Sequence, residues 1–469
     1  MSRPEPGQWM RWWAMLEQGR CRAVREGGEV LVCLALPCEP FDALAQVANI
    51  ESLGLPYALF ESREPDRVLL GIGQGRELLD EGASSLSGIS RRWRQWLASA
   101  VQEGPSGPLL MGGARFDSGG AQQPHWRDFP DAVMTLYPLQ WLQNSVGSYL
   151  LLQAQVRADS DLPALLDEQR RLLDFVDQDV DRSEFVIEAM GDDQSSVSRE
   201  QWQSTVAKAV KCIRQGEMHK VVLARHLLRQ HVAPIGVIPL LKRLRRHNPG
   251  AHLFAIRRGK SCFLGATPER LAHLQNGLVS THALAGTVAR GGDEANDHSL
   301  GQALLASVKE RQEHDLVVRF IRQGLERLGA TVQAAAVPEL RRLPTLQHLS
   351  TPIQAKIGAK IGVLDVIEQL HPTPAVAGSS LEQALTFIRR HEGMDRGWYA
   401  GPLGWMNECA EGDFVVALRS MLVQGTRTYL FAGCGVVADS VPELEYQETC
   451  LKLSGMFNAL RAESKVATV

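Results

Sequence analysis

The chain has 469 residues, of which 44% are hydrophobic and 22% charged, with a formal net charge of −3. This length can bury a large core and by itself suggests about two or three domains. The lack of any basic run argues against a nucleic-acid-binding protein, and no stretch reaches the ~18 apolar residues of a membrane span. The eight cysteines form no C-x-x-C pair. They therefore indicate buried thiols in a reducing compartment, and we expect a soluble, cytoplasmic protein.

The first 190 residues combine strand-like runs with turn-rich pieces. Apolar runs predict strands at Val30–Leu36, Arg67–Gly73 and Gly147–Val156, and helical spacing predicts a helix at Leu162–Val180. Gly71–Gly75 is rich in glycine but lacks the full spacing of a dinucleotide-binding motif. We interpret it as a turn rather than a phosphate cradle.

A second region begins near residue 191. Gly191–Ser196 has the composition of a linker, and Ser198 with Gln201 fits a capping box that opens a helix. The apolar run Lys220–His226 then predicts a strand.

The remaining pattern favours layers of antiparallel strands and helices. Val415–Val423 and Thr428–Val437 predict a hairpin, and long helices are predicted at 299–328 and 443–462. Adjacent strand runs without intervening helices are typical of an α+β fold and argue against a doubly wound parallel sheet.

The last helix carries an acidic cluster. Glu445, Glu448 and Lys452 stand at i, i+3 and i+7, so they share one helix face with Met456 and Ala459, which should point inward. Two carboxylates on an inward face need a cation. Mg²⁺ is the expected cation because the available ligands are all oxygen atoms.

Glu313 lies on the apolar stripe of the predicted helix 299–328. A lone carboxylate there costs several kcal/mol unless it is paired or binds a metal. Two interpretations stay open at this point. One is a buried salt bridge with Arg311 or Lys309, and the other is a third ligand in the site of the acidic cluster.

Lys220 and Glu269 are candidates for proton transfer. Lys220 opens an otherwise apolar strand, where a lysine can act as a general base or can extend to solvent from the strand end. Glu269 follows Pro268 in a break between two strand-like runs, so the backbone aims its carboxyl group. The alternative for Glu269 is a surface carboxylate in a turn.

Other residues point to an anionic ligand. Arg419 interrupts an apolar run, and its planar guanidinium suits a carboxylate. The glycines within Phe431–Gly435 would let backbone N–H groups approach the same anion, and Gly286 with Thr287 offers a second close approach plus a hydroxyl.

These motifs together resemble the chorismate-utilising enzymes and, within them, the isochorismate synthases. The resemblance spans roughly residues 198–462 and rests on segments in the family's order: Lys220–Arg225, Gly265–Glu269, Ala283–Thr287, Glu313–His314, His371–Ala375, Tyr399–Gly404, Val416–Arg419, Ala432–Gly435, and Glu445–Glu448 with Lys452.

The resemblance implies one large α+β fold, with two antiparallel sheets packed face to face and helices outside. Residues 1–190 would then be a divergent N-terminal part of that fold, and residues 191–469 the chorismate-binding catalytic core. This implication replaces the two or three domains that length alone suggested.

The resemblance also implies roles for the candidate residues. Glu313, Glu445 and Glu448 would hold Mg²⁺, which binds the ring carboxylate of chorismate. Lys220 would activate the water that attacks ring C2, and Glu269 would protonate the departing C4 hydroxyl. The implied substrate-binding residues are Thr287, Tyr399, Arg419, Gly433 and Lys452.

Relatives with other products differ at identifiable positions. Aminodeoxychorismate synthases resembling this chain place a lysine where this chain has Ala285, and anthranilate synthases generally lack a lysine matching Lys220. Salicylate synthases share the base, the acid and the metal site, so they remain the main alternative. Because no glutaminase segment is attached, we expect a monomer that acts on a small molecule.

Overall fold

Two large sheets organise the chain. The computed structural model describes residues 3–80, 85–120, 122–176, 193–342 and 346–460. In chain order the strands are β1 (Val30–Pro37), β2 (Tyr57–Arg63), β3 (Asp66–Ile72), β4 (Arg76–Asp80), β5 (Val101–Glu103), β6 (Leu110–Ala114), β7 (Ala132–Leu136), β8 (Leu139–Asn144), β9 (Ser148–Val156), β10 (Asp193–Ser195), β11 (Lys220–Gln230), β12 (His252–Arg258), β13 (Ser261–Thr267), β14 (Arg270–Gln275), β15 (Leu278–Ala289), β16 (Thr331–Ala334), β17 (Glu339–Arg342), β18 (Leu346–Lys356), β19 (Gly378–Ser379), β20 (Pro402–Met406), β21 (Gly412–Val416), β22 (Ser420–Gln424) and β23 (Arg427–Val436).

Helices cover these sheets. They are α1 (Pro6–Glu26), α2 (Ala43–Glu51), α3 (Ser85–Ala98), α4 (Leu162–Val176), α5 (Arg199–Arg214), α6 (Val237–His247), α7 (Glu294–Ala306), α8 (Val308–Arg327), α9 (Val363–Leu370), α10 (Leu381–His391) and α11 (Pro442–Leu460). Among the described residues, none of these helices has the length and apolar character needed to cross a bilayer.

Sheet A has 13 strands in the order β10-β11-β23-β22-β13-β12-β2-β3-β8-β9-β1-β5, with β19 also beside β11. Sheet B has 10 strands in the order β16-β18-β15-β14-β21-β20-β6-β7-β4, with β17 beside β18. Both sheets join strands from residues 1–190 to strands from residues 191–469, through β2–β12 in sheet A and β6–β20 in sheet B. The prediction of an α+β fold built on two sheets is confirmed.

Sheet A is buried on both faces, which explains the continuous apolar run of β1. Leu31 and Cys33 face a core shared with sheet B, while Val30 and Val32 face a second core under α1, α2, α4, α6 and α11. Because successive side chains of a strand point to opposite faces, a strand between two cores must be apolar throughout.

Several local predictions are confirmed. Ser198 Oγ accepts a hydrogen bond from Gln201 N–H, and the Gln201 side chain accepts one from Ser198 N–H, which closes the predicted capping box at α5. The turn predicted at Gly71–Gly75 is confirmed only in part, because Gly71 and Ile72 belong to β3 and the chain bends at residues 73 and 74 before β4. Residues 177–180 and 461–462, where two predicted helices continue, lie outside the described residues.

The single helix predicted at 299–328 is wrong, because two helices occupy this stretch. They are α7 and α8, and Ser307 lies between them with extended backbone. The Ser307 hydroxyl accepts a hydrogen bond from Glu310 N–H and so caps α8. The N-cap preference of serine outweighed the continuous helical spacing around it.

The strand predicted at Val415–Val423 is also wrong. β21 ends at Val416 in sheet B, β22 begins at Ser420 in sheet A, and residues 417–419 carry the chain between the sheets. An apolar run cannot reveal this crossing, because both halves are buried. The prediction of a linker at Gly191–Ser196 is wrong within its described part, because Asp193–Ser195 forms β10 and pairs with β11.

Candidate functional site

An open cavity with about 1260 Å³ of empty space, its mouth included, brings the candidate residues together. The ten residues singled out from the sequence all line it: Lys220, Glu269, Thr287, Glu313, Tyr399, Arg419, Gly433, Glu445, Glu448 and Lys452. They come from both sheets and two helices, so only the tertiary fold makes them neighbours.

Strands β11 and β23 form one wall of this cavity. Lys220, Val222 and Ala224 point into it, and Gly435 and Gly433 lie opposite Val222 and Ala224 on β23. A Cβ atom on Gly435 would lie 2.9 Å from Lys220 Cε, closer than real Cβ contacts allow. The glycine therefore leaves the space that the lysine side chain occupies.

Lys220 is 2% exposed and donates a hydrogen bond to Glu313 Oε1 at 2.5 Å. This contact excludes one earlier interpretation of Lys220 and identifies the partner of Glu313. Lys220 does not extend to solvent, and the partner of Glu313 is Lys220 rather than Arg311 or Lys309. Burial acts to raise the pKa of Glu313, but the charge and hydrogen bond of Lys220 outweigh it and lower that pKa.

Glu269 lies where the chain passes from β13 in sheet A to β14 in sheet B. Its backbone is fixed on both sides, because Glu269 N–H donates to Thr267 Oγ1 and Glu269 C=O accepts from Val416 N–H at 3.0 Å. The residue keeps some accessible surface toward the cavity, and it makes no salt bridge within the described part of the chain. Burial of the carboxyl raises its pKa to about 7, against the opposing charges of Lys220 and Lys452.

Arg419 lies at the second crossing, between β21 and β22. Its φ of +49° is in the left-handed region, which a residue with a side chain seldom adopts. Arg419 C=O accepts from Ala266 N–H at 3.1 Å, so this crossing is bonded to the end of β13. The guanidinium donates to Lys452 C=O at 3.3 Å and lines the cavity without a salt bridge to any described carboxylate, which leaves its remaining donors for an anion.

A β-bulge positions Thr287. The register between β15 and β18 shifts between Ala285 and Thr287, and Gly286 at the bulge has a φ of +77°. Thr287 Oγ1 lies 2.9 Å from His348 Nδ1 on β18. Burial, together with the charges of Lys452 and Arg419, lowers the pKa of His348 to about 3, so the imidazole is neutral.

Helix α11 presents the acidic cluster to the cavity as the i, i+3, i+7 spacing predicted. Lys452 Nζ bonds Glu448 Oε1 at 2.6 Å and Gly433 C=O at 2.9 Å, which ties the helix to β23. Burial, and then the charge of Glu448, raise the pKa of Glu445.

The donors on this side of the cavity fit a hard divalent cation. Glu310, Glu313, Glu445 and Glu448 offer only carboxylate oxygens, and Glu445 Oε2 is buried without a hydrogen-bond partner in the described structure. Within residues that the structure describes, no three acidic, histidine or cysteine side chains already converge at metal-binding distance. Instead, Lys220 pairs with Glu313 and Lys452 with Glu448.

An apolar wall closes the side of the cavity beside β23. The Tyr399 ring stacks on Phe431 with centroids 5.1 Å apart, and Ala375 and Val376 lie on the same cavity. A Cβ atom on Gly433 would lie 2.8 Å from the backbone oxygen of Leu223, so the close approach of β23 to β11 at this point requires glycine. A planar ring with polar substituents matches such a surface.

Sequence reasoning missed several polar residues of the cavity, among them Glu310, His348 and Arg396. Glu310 stands one turn before Glu313, and this spacing could have identified it. His348 is brought opposite Thr287 only by the pairing of β18 with the bulged strand. Arg396 lies in a loop, where no periodic pattern gives a signal.

Comparisons with known proteins identify relatives that match most of this chain. The family model described as chorismate binding enzyme matches residues 18–461. The salicylate biosynthesis isochorismate synthase of Pseudomonas aeruginosa is 44% identical over 438 residues, covering 92% of this chain and 90% of that protein. The isochorismate synthase MenF of Bacillus subtilis is 32% identical over 415 residues, covering 86% of this chain and 88% of that protein. The solved structure of MenF, the menaquinone-specific isochorismate synthase of Escherichia coli, superposes with a TM-score of 0.78 at 27% identity, covering 95% of this chain and all of that one.

Proposed function

Because the chain belongs to the family of chorismate-binding enzymes, we propose that it converts chorismate to isochorismate with the help of Mg²⁺. The observation that carries the proposal is that one cavity holds both the buried Lys220 and the carboxyl group of Glu269, whose pKa is raised to about 7. A reaction that adds water at one carbon and removes hydroxyl from another needs one group to accept a proton and one to donate it.

In the proposed reaction, Lys220 in its neutral form removes a proton from the water that attacks ring C2. The ring double bonds shift, and the C4 hydroxyl leaves as water with a proton from Glu269. One water enters and one leaves, so the product is an isomer of the substrate. A pKa of about 7 leaves about half of the Glu269 carboxyl groups protonated at neutral pH, so the acid form is available.

The charges of the cavity support a divalent cation. Five basic side chains line it (Lys220, Lys309, Arg396, Arg419 and Lys452), and five acidic ones oppose them (Glu269, Glu310, Glu313, Glu445 and Glu448). Chorismate brings two carboxylates into this balanced lining. Mg²⁺ held by Glu313, Glu445 and Glu448 would neutralise that charge and withdraw electrons from the ring carboxylate.

The remaining residues would orient the substrate. Arg419 and Lys452, whose side chains line the cavity, would bind the enolpyruvyl carboxylate, and Thr287 would donate or accept a hydrogen bond. Tyr399 would support the ring from its stacked position on Phe431. Gly433 keeps the β23 backbone within reach of the ligand because it has no side chain.

The assay is incubation of the purified chain with chorismate, with and without Mg²⁺, followed by NMR of the products. We expect isochorismate as the main product and loss of turnover when EDTA removes the metal. A pyruvate-coupled assay run in parallel detects elimination. Salicylate and pyruvate as the main products would replace the proposal with a salicylate synthase, and undiminished turnover in EDTA would remove Mg²⁺ from it.

A further inference from the structure

The edge of β11 next to the cavity is only partly paired with strands. One side of β11 pairs with β23 from Val221 to Gln230. On the other side, β19 covers Lys220 and Val221, and β10 covers Leu227 to Arg229. The described residues provide no strand for the interval between them, although buried backbone groups there require partners.

A buried ion pair fills this interval. Arg396 Nη2 donates to Val222 C=O at 2.7 Å, and Ala224 N–H donates to Glu392 Oε2 at 2.8 Å. Arg396 bonds Glu392 through Nε and Nη2, and the two side chains are 3% and 1% exposed. A guanidinium and a carboxylate thus satisfy the acceptor and the donor that a neighbouring strand would otherwise satisfy, through charge-assisted hydrogen bonds.

The same arginine holds the adjacent cavity wall. Arg396 Nη1 donates to Val376 C=O at 2.8 Å, and its guanidinium lies 4.1 Å from the ring centroid of Phe116. Val222 N–H in turn donates to Ala377 C=O at 2.9 Å. The wall at Val376 and strand β11 are therefore fixed to each other through one side chain.

We propose that Glu392 and Arg396 are positioning residues that set the place of Lys220, two residues from Val222, relative to the apolar wall of the cavity. The inference rests on the proposed function, because it concerns the position of the proposed base. Neither residue needs to contact substrate. Their effect passes through the backbone of β11, so it falls on the chemical step more than on substrate binding.

The test is a double-variant cycle of Glu392→Gln, Arg396→Met and the combination. Glu61→Gln is the matched control, because Glu61 is also a buried carboxylate, 6% exposed, that pairs with an arginine, Arg245, away from this cavity. For each protein one would measure the melting temperature, kcat and KM for chorismate with Mg²⁺, amide hydrogen exchange at Ala224, and modification of Lys220 by an amine reagent.

We expect kcat to fall 10-fold or more in each single variant, with less than a 3-fold change in KM. In Glu61→Gln the melting temperature should fall, but kcat should stay within about 2-fold of the wild-type value. The double variant should have a higher melting temperature than Arg396→Met, because it contains no unpaired buried carboxylate. Its kcat should remain as low as in the single variants. Recovery of kcat together with the melting temperature would reduce the pair to a stability role and overturn the inference.

Failure of the proposed function would give a different result from failure of the positioning role. If the wild-type chain did not convert chorismate, the proposed reaction would be wrong. The positioning claim would still be judged by amide exchange at Ala224 and by reagent access to Lys220, both of which should increase in the single variants but not in Glu61→Gln. Unchanged exchange and unchanged Lys220 modification would overturn it independently.

Discussion

The cavity holds the two proposed proton-transfer groups in opposite ways. Lys220 lies on a regular strand, almost fully buried and paired with Glu313. Glu269 lies at a crossing between sheets, with no salt bridge to a described residue and a pKa raised by burial. The lysine is held by a counter-charge, whereas the carboxyl group is tuned by desolvation. Desolvation alone therefore suffices to prepare the acid, while release of the base requires Glu313 to take another partner.

Replacement of Lys220, the proposed base, should lower turnover more than any other substitution discussed below. Lys220→Met keeps the length of the side chain and removes the group that accepts the proton. We expect kcat to fall by roughly 10²–10⁴, the usual contribution of a positioned acid or base. Rates from NMR product analysis would be compared with circular dichroism of the same samples. A folded variant that retains a third of wild-type kcat would show that Lys220 is not the base.

Replacement of the acid comes next. Glu269→Gln keeps the shape and removes the transferable proton, so kcat should fall by about 10²–10³. Because the active form is the protonated one and its pKa is about 7, wild-type turnover should decline as the pH rises above 7. The pH profile of kcat from pH 5.5 to 9 checks this. A rate that keeps rising through pH 9 would contradict the assignment.

A substitution in the cavity wall beside Lys220 should lower turnover by a smaller factor. In Gly435→Ala the new methyl group would meet Lys220 Cε at 2.9 Å and displace it, which should lower kcat by about 10- to 100-fold. Gly455→Ala is the control, because nothing lies within 4 Å of a methyl group at that helical position. The control should keep full activity, and equal activity of the two variants would show that the lysine has room to move.

The desolvation of Glu269 also predicts a modest change in stability with pH. Its pKa is about 7 in the fold against 4.5 for an unperturbed glutamate, so between these pH values the folded state binds more protons than the unfolded state. This group therefore lowers the free energy of unfolding as the pH rises from about 4.5 to 7. Denaturant unfolding at pH 5 and pH 8 should show a larger loss for the wild type than for Glu269→Gln, by about 2 kcal/mol. An equal loss in both would refute burial as the cause.

The sequence predicted which residues line the cavity better than it predicted the contacts that these residues make. The spacing of Glu445, Glu448 and Lys452 was sufficient to place all three on the cavity, because α11 is a regular helix. The salt bridge between Lys220 and Glu313 was not predictable, since it joins residues 93 positions apart. The crossing at Arg419 was missed because the apolar segments on both sides of it are buried, although Arg419 itself interrupts the run.

The roles assigned through the family resemblance remain predictions, while the shared cavity is an observation. The Glu392–Arg396 pair illustrates what pattern reading cannot reach. Its importance comes from an interval in the pairing of β11, and this interval is visible only once the neighbouring strands are placed.

The two crossings between the sheets have a mechanical consequence. Glu269 C=O accepts a hydrogen bond from Val416 N–H, and Arg419 C=O accepts one from Ala266 N–H. These two hydrogen bonds join the crossing at Glu269 to the crossing at Arg419. Glu269, the proposed acid, and Arg419, the proposed anion-binding residue, are therefore both held by hydrogen bonds between the two crossings. A mutation in the layer between the sheets that spreads them by a fraction of an ångström would shift both groups together relative to Lys220. Such a mutation can impair turnover at a distance while the fold itself survives.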